Sequence, residues 1–204
     1  MRHVPSSDTV HAGILTFKDA LIPNSTDYDR ERWIYVPDHY SEYRYILGTR
    51  GSHPLICIGI NPSTASPDHL DNTLKSTQRI ALNNGFDSFI MFNVYAQRAT
   101  LPDDMEKEMN PQLHLENMKA FEWILNQYRI PCTVWAAWGD AIDCRPYLGK
   151  SLVDIQEKLD GDFEWFRRGT MTRKGNPRHP LYMKEGELFT WFPVFDYATY
   201  YMDW

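Results

Sequence analysis

Short apolar runs alternate with helical patterns along this chain, and this alternation most constrains its fold. The runs have the length of buried strands and cover residues 55–60 (LICIGI), 88–94 (SFIMFNV), 132–138 (CTVWAAW) and 163–167 (FEWFR). Helical patterns occupy residues 72–84, 110–128 and 146–159. The alternation predicts an α/β fold, a three-layer α/β/α sandwich around a mostly parallel, four-stranded central sheet.

The flanking segments are assigned to the same domain, because 204 residues fit the usual size of one domain. Residues 1–50 form an N-terminal extension, irregular over the first 30, in which aromatic and β-branched residues at 33–36 and 43–47 predict a hairpin. Residues 51–184 form the α/β core. Residues 185–204 form an aromatic tail that we expect to pack back over the sheet.

Composition and charge exclude several classes of protein. Hydrophobic residues make up 43% of the chain and charged residues 24%, and no apolar run approaches the ~18 residues of a membrane span. The amino-terminal residues lack the apolar core of a signal peptide, so we expect a cytoplasmic protein. The net charge of −6 disfavours broad binding to nucleic-acid backbones. The three cysteines and the histidines lack metal-ligand spacing, so the sequence predicts no metal and no cofactor.

The segment GNPRHPLY, residues 175–182, is predicted to be a stiff loop. Each proline fixes its own φ and drives the preceding residue towards an extended conformation, so Arg178 and His179 point in set directions. Six basic residues and no acidic one lie between 165 and 184. This basic loop is either a local anion site, with Lys174 and Arg178 as phosphate ligands, or an ordinary solvated surface.

Polar, breaker-rich loops follow each predicted strand. They read NPSTASPDHLDNT, YAQRATLPDDM, GDAIDCR and GTMTRKGNPRHPLY. In parallel sheets, ligands bind beyond the carboxyl ends of the strands. We therefore expect these four loops to converge on one ligand site.

Four of these motifs carry a resemblance to a known family. INPSTA, NVYAQRAT, AWGDA and KGNPRHPLY, in this order, resemble a bacterial and phage family described as a domain of unknown function, over residues 44–182. That resemblance implies no particular activity.

The same motifs more distantly resemble the mismatch-specific uracil-DNA glycosylases. IGINPS is similar to the water-positioning motif of that superfamily, FNVYAQRAT to its second-strand segment, and the His-Pro pair at 179–180 to its last motif. The resemblance implies that Asn61 holds the attacking water, that Asn93 reads a base edge and that His179 donates to a base carbonyl. Ser63 stands where the glycosylase motif ends in glycine, and Leu181 stands where a serine is common.

Each candidate residue also has a structural interpretation. Asp68 or Asp71 could supply the carboxylate that Asn61 lacks, or Asp71 could cap the following helix. Asn93 could instead pin the backbone, and His179 could hold its own loop together. Arg98 could bind a phosphate or pair with an acidic residue such as Asp103. The remaining candidate ligand-binding residues are Pro62, Ser63, Tyr95, Thr100, Gly139 and Tyr182.

Three hypotheses about function follow from these residues. The first is an enzyme that hydrolyses an N-glycosidic bond in DNA or in a free nucleotide. The second is a non-catalytic protein that binds nucleotides or nucleic acid through the same residues. The third is an interaction protein that docks a partner through the aromatic segment 189–204. The oligomeric state is left open.

Overall fold

A seven-stranded sheet lies at the centre of the protein. The computed structural model describes residues 2–6, 13–128, 132–159, 163–184 and 186–202, apart from the side chains of Leu125 and Tyr182. The strands are β1 Trp33–Val36, β2 Ile46–Thr49, β3 Pro54–Gly59, β4 Ser88–Asn93, β5 Cys132–Ala136, β6 Phe163–Arg168 and β7 Phe189–Trp191. Their order across the sheet is β1-β2-β4-β3-β5-β6-β7.

The four strands predicted from the apolar runs form the parallel centre of this sheet. β3 pairs in parallel with β4 and with β5, and β5 pairs in parallel with β6. The expected four-stranded sheet is nevertheless too small. β2 adds to β4 and β7 adds to β6, both antiparallel, and β1 adds to β2. β1 and β2 were expected only as a hairpin outside this sheet, whereas β7, with three residues, is too short to give a clear periodic pattern.

Helices cover both faces of the sheet. They are α1 Phe17–Ala20, α2 Asn72–Asn83, α3 Pro111–Gln127, α4 Pro146–Lys158 and α5 Val194–Met202. Successive residues of β3 point to opposite faces. Leu55 and Cys57 belong to one buried cluster with Ile80 of α2, whereas Ile56 belongs to the other with Phe121 of α3. The mixed α/β fold with a parallel sheet centre is therefore confirmed.

The starts of α2 and α3 are set by side-chain caps. The carboxylate of Asp71 accepts a hydrogen bond from the backbone N–H of Leu74 at 2.9 Å. The amide oxygen of Asn110 accepts from the N–H of Gln112 and Leu113. Such caps stabilise a helix by about 1 kcal/mol each. The cap of α2 also places Asp71 at the carboxyl end of the sheet, directly after the loop that leaves β3.

Both terminal segments join this structure. The predicted hairpin is present as β1 and β2, although β2 begins at Ile46 and not at residue 43. Within the stretch expected to be irregular, α1 forms a single helical turn. At the other end, α5 packs against α4 so closely that a Cβ on Gly149 would lie 2.1 Å from the ring of Tyr201. Within the described residues, no helix has both the length and the apolar composition that crossing a membrane requires.

Candidate functional site

A cavity of about 670 Å³ opens at the carboxyl ends of the parallel strands. Its wall includes residues from the loops after β3, β4, β5 and β6, as expected for a sheet of this topology. Eight residues predicted from the sequence line it: Asn61, Ser63, Asp71, Asn93, Thr100, Gly139, Arg178 and His179. Residues as far apart in the chain as Asn61 and His179 therefore face one common space.

Asn61 is held by its amide nitrogen. Nδ2 donates to the carbonyl oxygens of Pro62 at 3.0 Å and of Ala99 at 2.8 Å. Both amide hydrogens are engaged by these two bonds, so Oδ1 is the group with which Asn61 can accept a further hydrogen bond. Asn61 can thus orient a water or a ligand donor, but it cannot take up a proton.

Asn93, the last residue of β4, presents an unpaired amide to the cavity. Its side chain is buried, with 1% of the residue exposed, yet neither Nδ2 nor Oδ1 has a hydrogen-bond partner among the described residues. A buried polar group without a partner costs about 1–3 kcal/mol, and native proteins contain few of them. A Cβ on Gly59 would approach Oδ1 to 3.2 Å, so glycine on the neighbouring strand leaves room for this amide.

His179 is neutral at physiological pH. Burial lowers the pKa of its imidazole to about 4, against an opposing effect of the Asp71 carboxylate. The backbone N–H of Leu181 donates to Nδ1 at 3.3 Å. Because Nδ1 accepts, the neutral ring carries its proton on Nε2 and can donate through that atom.

The loop that carries His179 is fastened to three other elements. Ser76 of α2 donates to the carbonyl of Pro180 at 2.9 Å. The N–H of Gly139 donates to the carbonyl of Pro177 at 3.0 Å. Gly139 has a φ of 64°, and a Cβ there would lie 3.2 Å from the Cβ of His179, so this glycine permits the close approach.

Asn176 completes the anchor of that loop. Its Nδ2 donates to the carboxylates of Asp140 at 3.0 Å and Asp143 at 3.3 Å, both in the 3₁₀ helix Gly139–Cys144 that follows β5. Its Oδ1 accepts from the hydroxyl of Tyr197 in α5 at 2.7 Å. Tyr197 in turn accepts from the indole of Trp138 at 3.0 Å. The loop therefore has a fixed position relative to β5 and α5.

Two further predicted residues are tied to the N-terminal segment. The hydroxyls of Ser63 and Thr100 lie 3.2 Å apart. The Thr100 hydroxyl also accepts from the backbone N–H of His3 at 2.7 Å. These contacts join the loops after β3 and β4 at the wall of the cavity.

Among the predicted ligand-binding residues with described side chains, four do not line the cavity, namely Pro62, Tyr95, Lys174 and Arg98. Pro62 is buried, and its carbonyl accepts from Ala99 and Asn61. Tyr95 is a core residue whose hydroxyl donates to Glu106 at 3.0 Å. Lys174 is exposed and lies 3.5 Å from the carboxylate of Asp143. The side chain of Tyr182 lies outside the described part of the structure.

Arg98 is the fourth, and its contacts are structural. Its guanidinium donates to the carbonyls of Ser63 and Ala65 and to the hydroxyl of Tyr35, and it stacks over the ring of Tyr40 at 4.3 Å. Through the two carbonyls it fixes the position of the loop after β3. The alternative pairing with Asp103 is not present, since that carboxylate lies 3.9 Å from Arg145.

The sequence analysis missed Arg44, which lies in the N-terminal extension before the α/β core. Arg44 is 1% exposed and lines the cavity. Its backbone N–H donates to the carbonyl of Ala96 at 2.9 Å, which fixes it beside the loop after β4. Trp138 also lines the cavity, as an aromatic surface between β5 and the His179 loop. Within the described ranges, no group of three His, Cys, Asp or Glu side chains is arranged to hold a metal ion.

Comparison with known proteins identifies the family. A family model described as "Protein of unknown function (DUF1643)" matches residues 44–181. A search of the curated proteins finds no match. The matched region begins at Arg44 and ends at Leu181, so it includes every cavity-lining residue named above. The expected membership in a family of unknown function is therefore confirmed, and the chain belongs to the DUF1643 family.

Proposed function

We propose that the cavity binds a nucleobase-containing ligand and hydrolyses its N-glycosidic bond. The observation that carries the proposal is the unpaired amide of Asn93, which is buried and lines the cavity. An amide presents one donor and one acceptor side by side, and a nucleobase edge offers the complementary pair. Binding such an edge satisfies both atoms at once, which neither a lone anion nor an apolar ligand does.

The proposed reaction uses three further side chains of the same wall. Water held by Oδ1 of Asn61 attacks the anomeric carbon of the sugar. A carbon–oxygen bond forms there, the carbon–nitrogen bond breaks, and its electron pair leaves with the base. His179 donates through Nε2 to the base carbonyl, where negative charge develops. The free carboxylate oxygen of Asp71 accepts the proton that the water loses.

The neutral state of His179 supports this role. A ring with a pKa of about 4 carries no charge at pH 7, so it acts on the leaving group as a neutral hydrogen-bond donor. The cavity volume of about 670 Å³ lies within the usual range for small-molecule sites, roughly 300–1,000 Å³. The glycosylase-like placement of the three motifs at strand ends also favours this reaction over other hydrolyses.

A non-catalytic binding protein is the second candidate, and one contact favours it. One carboxylate oxygen of Asp71 is already engaged as the cap of α2. The oxygen that caps the helix is engaged by the backbone, which leaves Asp71 one oxygen with which to accept a proton from water. Under this alternative Asn93 and His179 hold the ligand and no bond is broken.

The test is a base-release assay on wild-type protein. Substrates are free nucleosides, nucleoside monophosphates, and single- and double-stranded DNA with uracil, mismatched or modified bases, and the product is the free base, separated by chromatography. We expect release from at least one substrate. The double variant Asn61→Ala/His179→Ala should lose about 10²-fold or more of this rate. Lys174→Ala, an exposed cation outside the cavity, is the matched control and should retain it.

Each outcome decides between the candidates. Release that survives the double variant rejects the proposed mechanism. Calorimetric binding of a nucleotide without any release selects the non-catalytic candidate. Absence of both binding and release across the whole set rejects a nucleobase ligand.

A further inference from the structure

Arg44 has hydrogen-bonding capacity that the protein does not use. Its guanidinium carries five N–H donors. Among the described residues it makes one side-chain hydrogen bond, from Nη1 to the carbonyl of Ala65 at 3.1 Å. Its Nε is buried without a partner, and the side chain lines the cavity. A buried cation that lines a cavity and has unpaired N–H donors is well suited to bind an anion.

Arg98 adds a second positive charge beside Arg44. It donates to the same carbonyl of Ala65 at 3.1 Å, so the two guanidinium groups lie close together. Burial, followed by the charge of Arg98, lowers the pKa of Arg44 to about 9, and Asp71 opposes this effect. Neither arginine forms an ion pair with a carboxylate of the described residues. Their positive charges therefore have no counterion in direct contact.

The two arginines differ in what they leave available. Each has a buried Nε without a partner among the described residues, but Arg98 also donates to two carbonyls and a hydroxyl, stacks on Tyr40 and does not line the cavity. Arg44 has one such bond and faces the cavity. Since a buried ion without a partner costs several kcal/mol, a counterion supplied by the ligand would offset a large unfavourable term.

We propose that the cavity has an anion subsite at Arg44, and that the ligand is a nucleoside phosphate whose phosphate group is bound there. The planar fork of a guanidinium matches two phosphate oxygens, which makes phosphate the anion of choice. The identity of the base-bearing part rests on the proposed function, whereas the anion subsite stands on Arg44 alone. The subsite also replaces Lys174 as the expected phosphate ligand, because Lys174 does not line the cavity.

Isothermal titration of the full chain tests the subsite. The probes are the common nucleosides, their 5′-monophosphates and inorganic phosphate. For at least one base, we expect the monophosphate to bind about 10-fold more tightly than its nucleoside, or better. In Arg44→Gln that ratio should fall to within about 2-fold of unity, while the affinity for the nucleoside stays within about 2-fold of wild type. Equal affinity of nucleoside and monophosphate in the wild type overturns the subsite.

Further variants keep the result interpretable. Should Arg44→Gln fail to fold, Arg44→Lys keeps the charge but loses the fork, and the ratio should fall without disappearing. Lys174→Gln is the matched control and should leave the ratio unchanged. If the preference for the monophosphate over the nucleoside disappears in Arg178→Gln but is fully retained in the Arg44 variants, the phosphate binds elsewhere and the proposal is overturned.

The same titrations separate this inference from the proposed function. Nucleosides that bind with no preference for the phosphate overturn the subsite and leave the base site intact. Inorganic phosphate that binds to wild type but not to Arg44→Gln, when no nucleoside binds, supports the subsite and rejects the base site. Absence of binding by every probe overturns both.

Discussion

Two buried asparagines at the same end of the sheet have opposite surroundings. Asn176, in the loop after β6, is 3% exposed, and its amide bonds to two carboxylates and a tyrosine hydroxyl. Asn93, at the end of β4, is 1% exposed, and its amide bonds to nothing in the described structure. The two side chains are therefore equally buried and differ in their hydrogen bonds, which are complete for Asn176 and absent for Asn93 among the described residues.

This contrast divides the carboxyl end of the sheet into two regions. The anchor region, defined by Asn176, Asp140, Asp143 and Tyr197, pairs its polar groups with one another. The open wall, defined by Asn93 and Arg44, keeps polar atoms buried and unpaired. The first region stabilises the loop that carries His179, and the second contains polar groups that no described residue satisfies. Substitutions in the two regions should thus affect different properties.

The largest loss of stability should come from the anchor region. Asn176→Leu removes three hydrogen bonds of a buried amide, two of them to carboxylates and one from the Tyr197 hydroxyl, and each contributes about 1 kcal/mol. We expect the free energy of unfolding in urea to fall by about 3 kcal/mol. Asn84→Leu, which removes an amide bonded to the helix carbonyl of Ile80, is the comparison and should cost about 1 kcal/mol or less. Equal effects would contradict the assignment of Asn176 as an anchor.

The acid response of His179 should be the next largest effect. Its folded pKa of about 4 lies below the ordinary value of 6.5, so between these pH values the unfolded chain binds more protons than the folded one. Stability should therefore decrease by about 3 kcal/mol as the pH falls through the range from about 6.5 to about 4, and this contribution should level off on either side of that range. The difference in unfolding free energy between wild type and His179→Gln, measured across the window, isolates it. A flat difference would contradict a buried neutral ring.

A smaller difference is expected between alanine substitutions at two glycines near the loop that carries His179. Gly139 and Gly175 both have positive φ, 64° and 84°, so alanine should cost each about 1 kcal/mol. A Cβ at Gly139 also lies 3.2 Å from that of His179, whereas one at Gly175 meets nothing within 4 Å. Gly139→Ala should therefore weaken nucleotide binding in calorimetry, and Gly175→Ala should not. Equal binding by both variants would show that His179 tolerates displacement.

Much of this fold could be predicted from sequence because parallel strands buried on both faces appear as continuous apolar runs. β3 and β4 are buried at all six positions, and their runs were recognised. β7, with only three partly or largely exposed residues, gave no such pattern. The sequence could predict three residues that line the cavity, Asn61, Asn93 and His179, because each belongs to a motif at or after the end of a predicted strand.

Arg44 could not be predicted because its position depends on long-range pairing. It precedes β2, and it reaches the cavity only because β2 adds to β4 and because its own N–H bonds to Ala96. The sequence could not predict that the amide of Asn93 is unpaired, because this depends on which hydrogen-bonding groups the fold places beside it. Residues that act through an unsatisfied bond become recognisable only when the surrounding contacts are known.

Asn93→Leu should have the smallest effect on stability and the clearest effect on function. Leucine has the same branched skeleton and number of side-chain heavy atoms as asparagine and needs no hydrogen bonds, so the substitution removes two buried, unpaired polar atoms. We expect the free energy of unfolding to stay the same or to rise by up to about 1 kcal/mol, in contrast to the loss in Asn176→Leu. Binding of nucleosides should weaken by about 10-fold or more, because the base edge loses both of its partners. A variant that lost stability while keeping its affinity would mean that Asn93 supports the sheet, and the division into an anchor region and an open wall would fail.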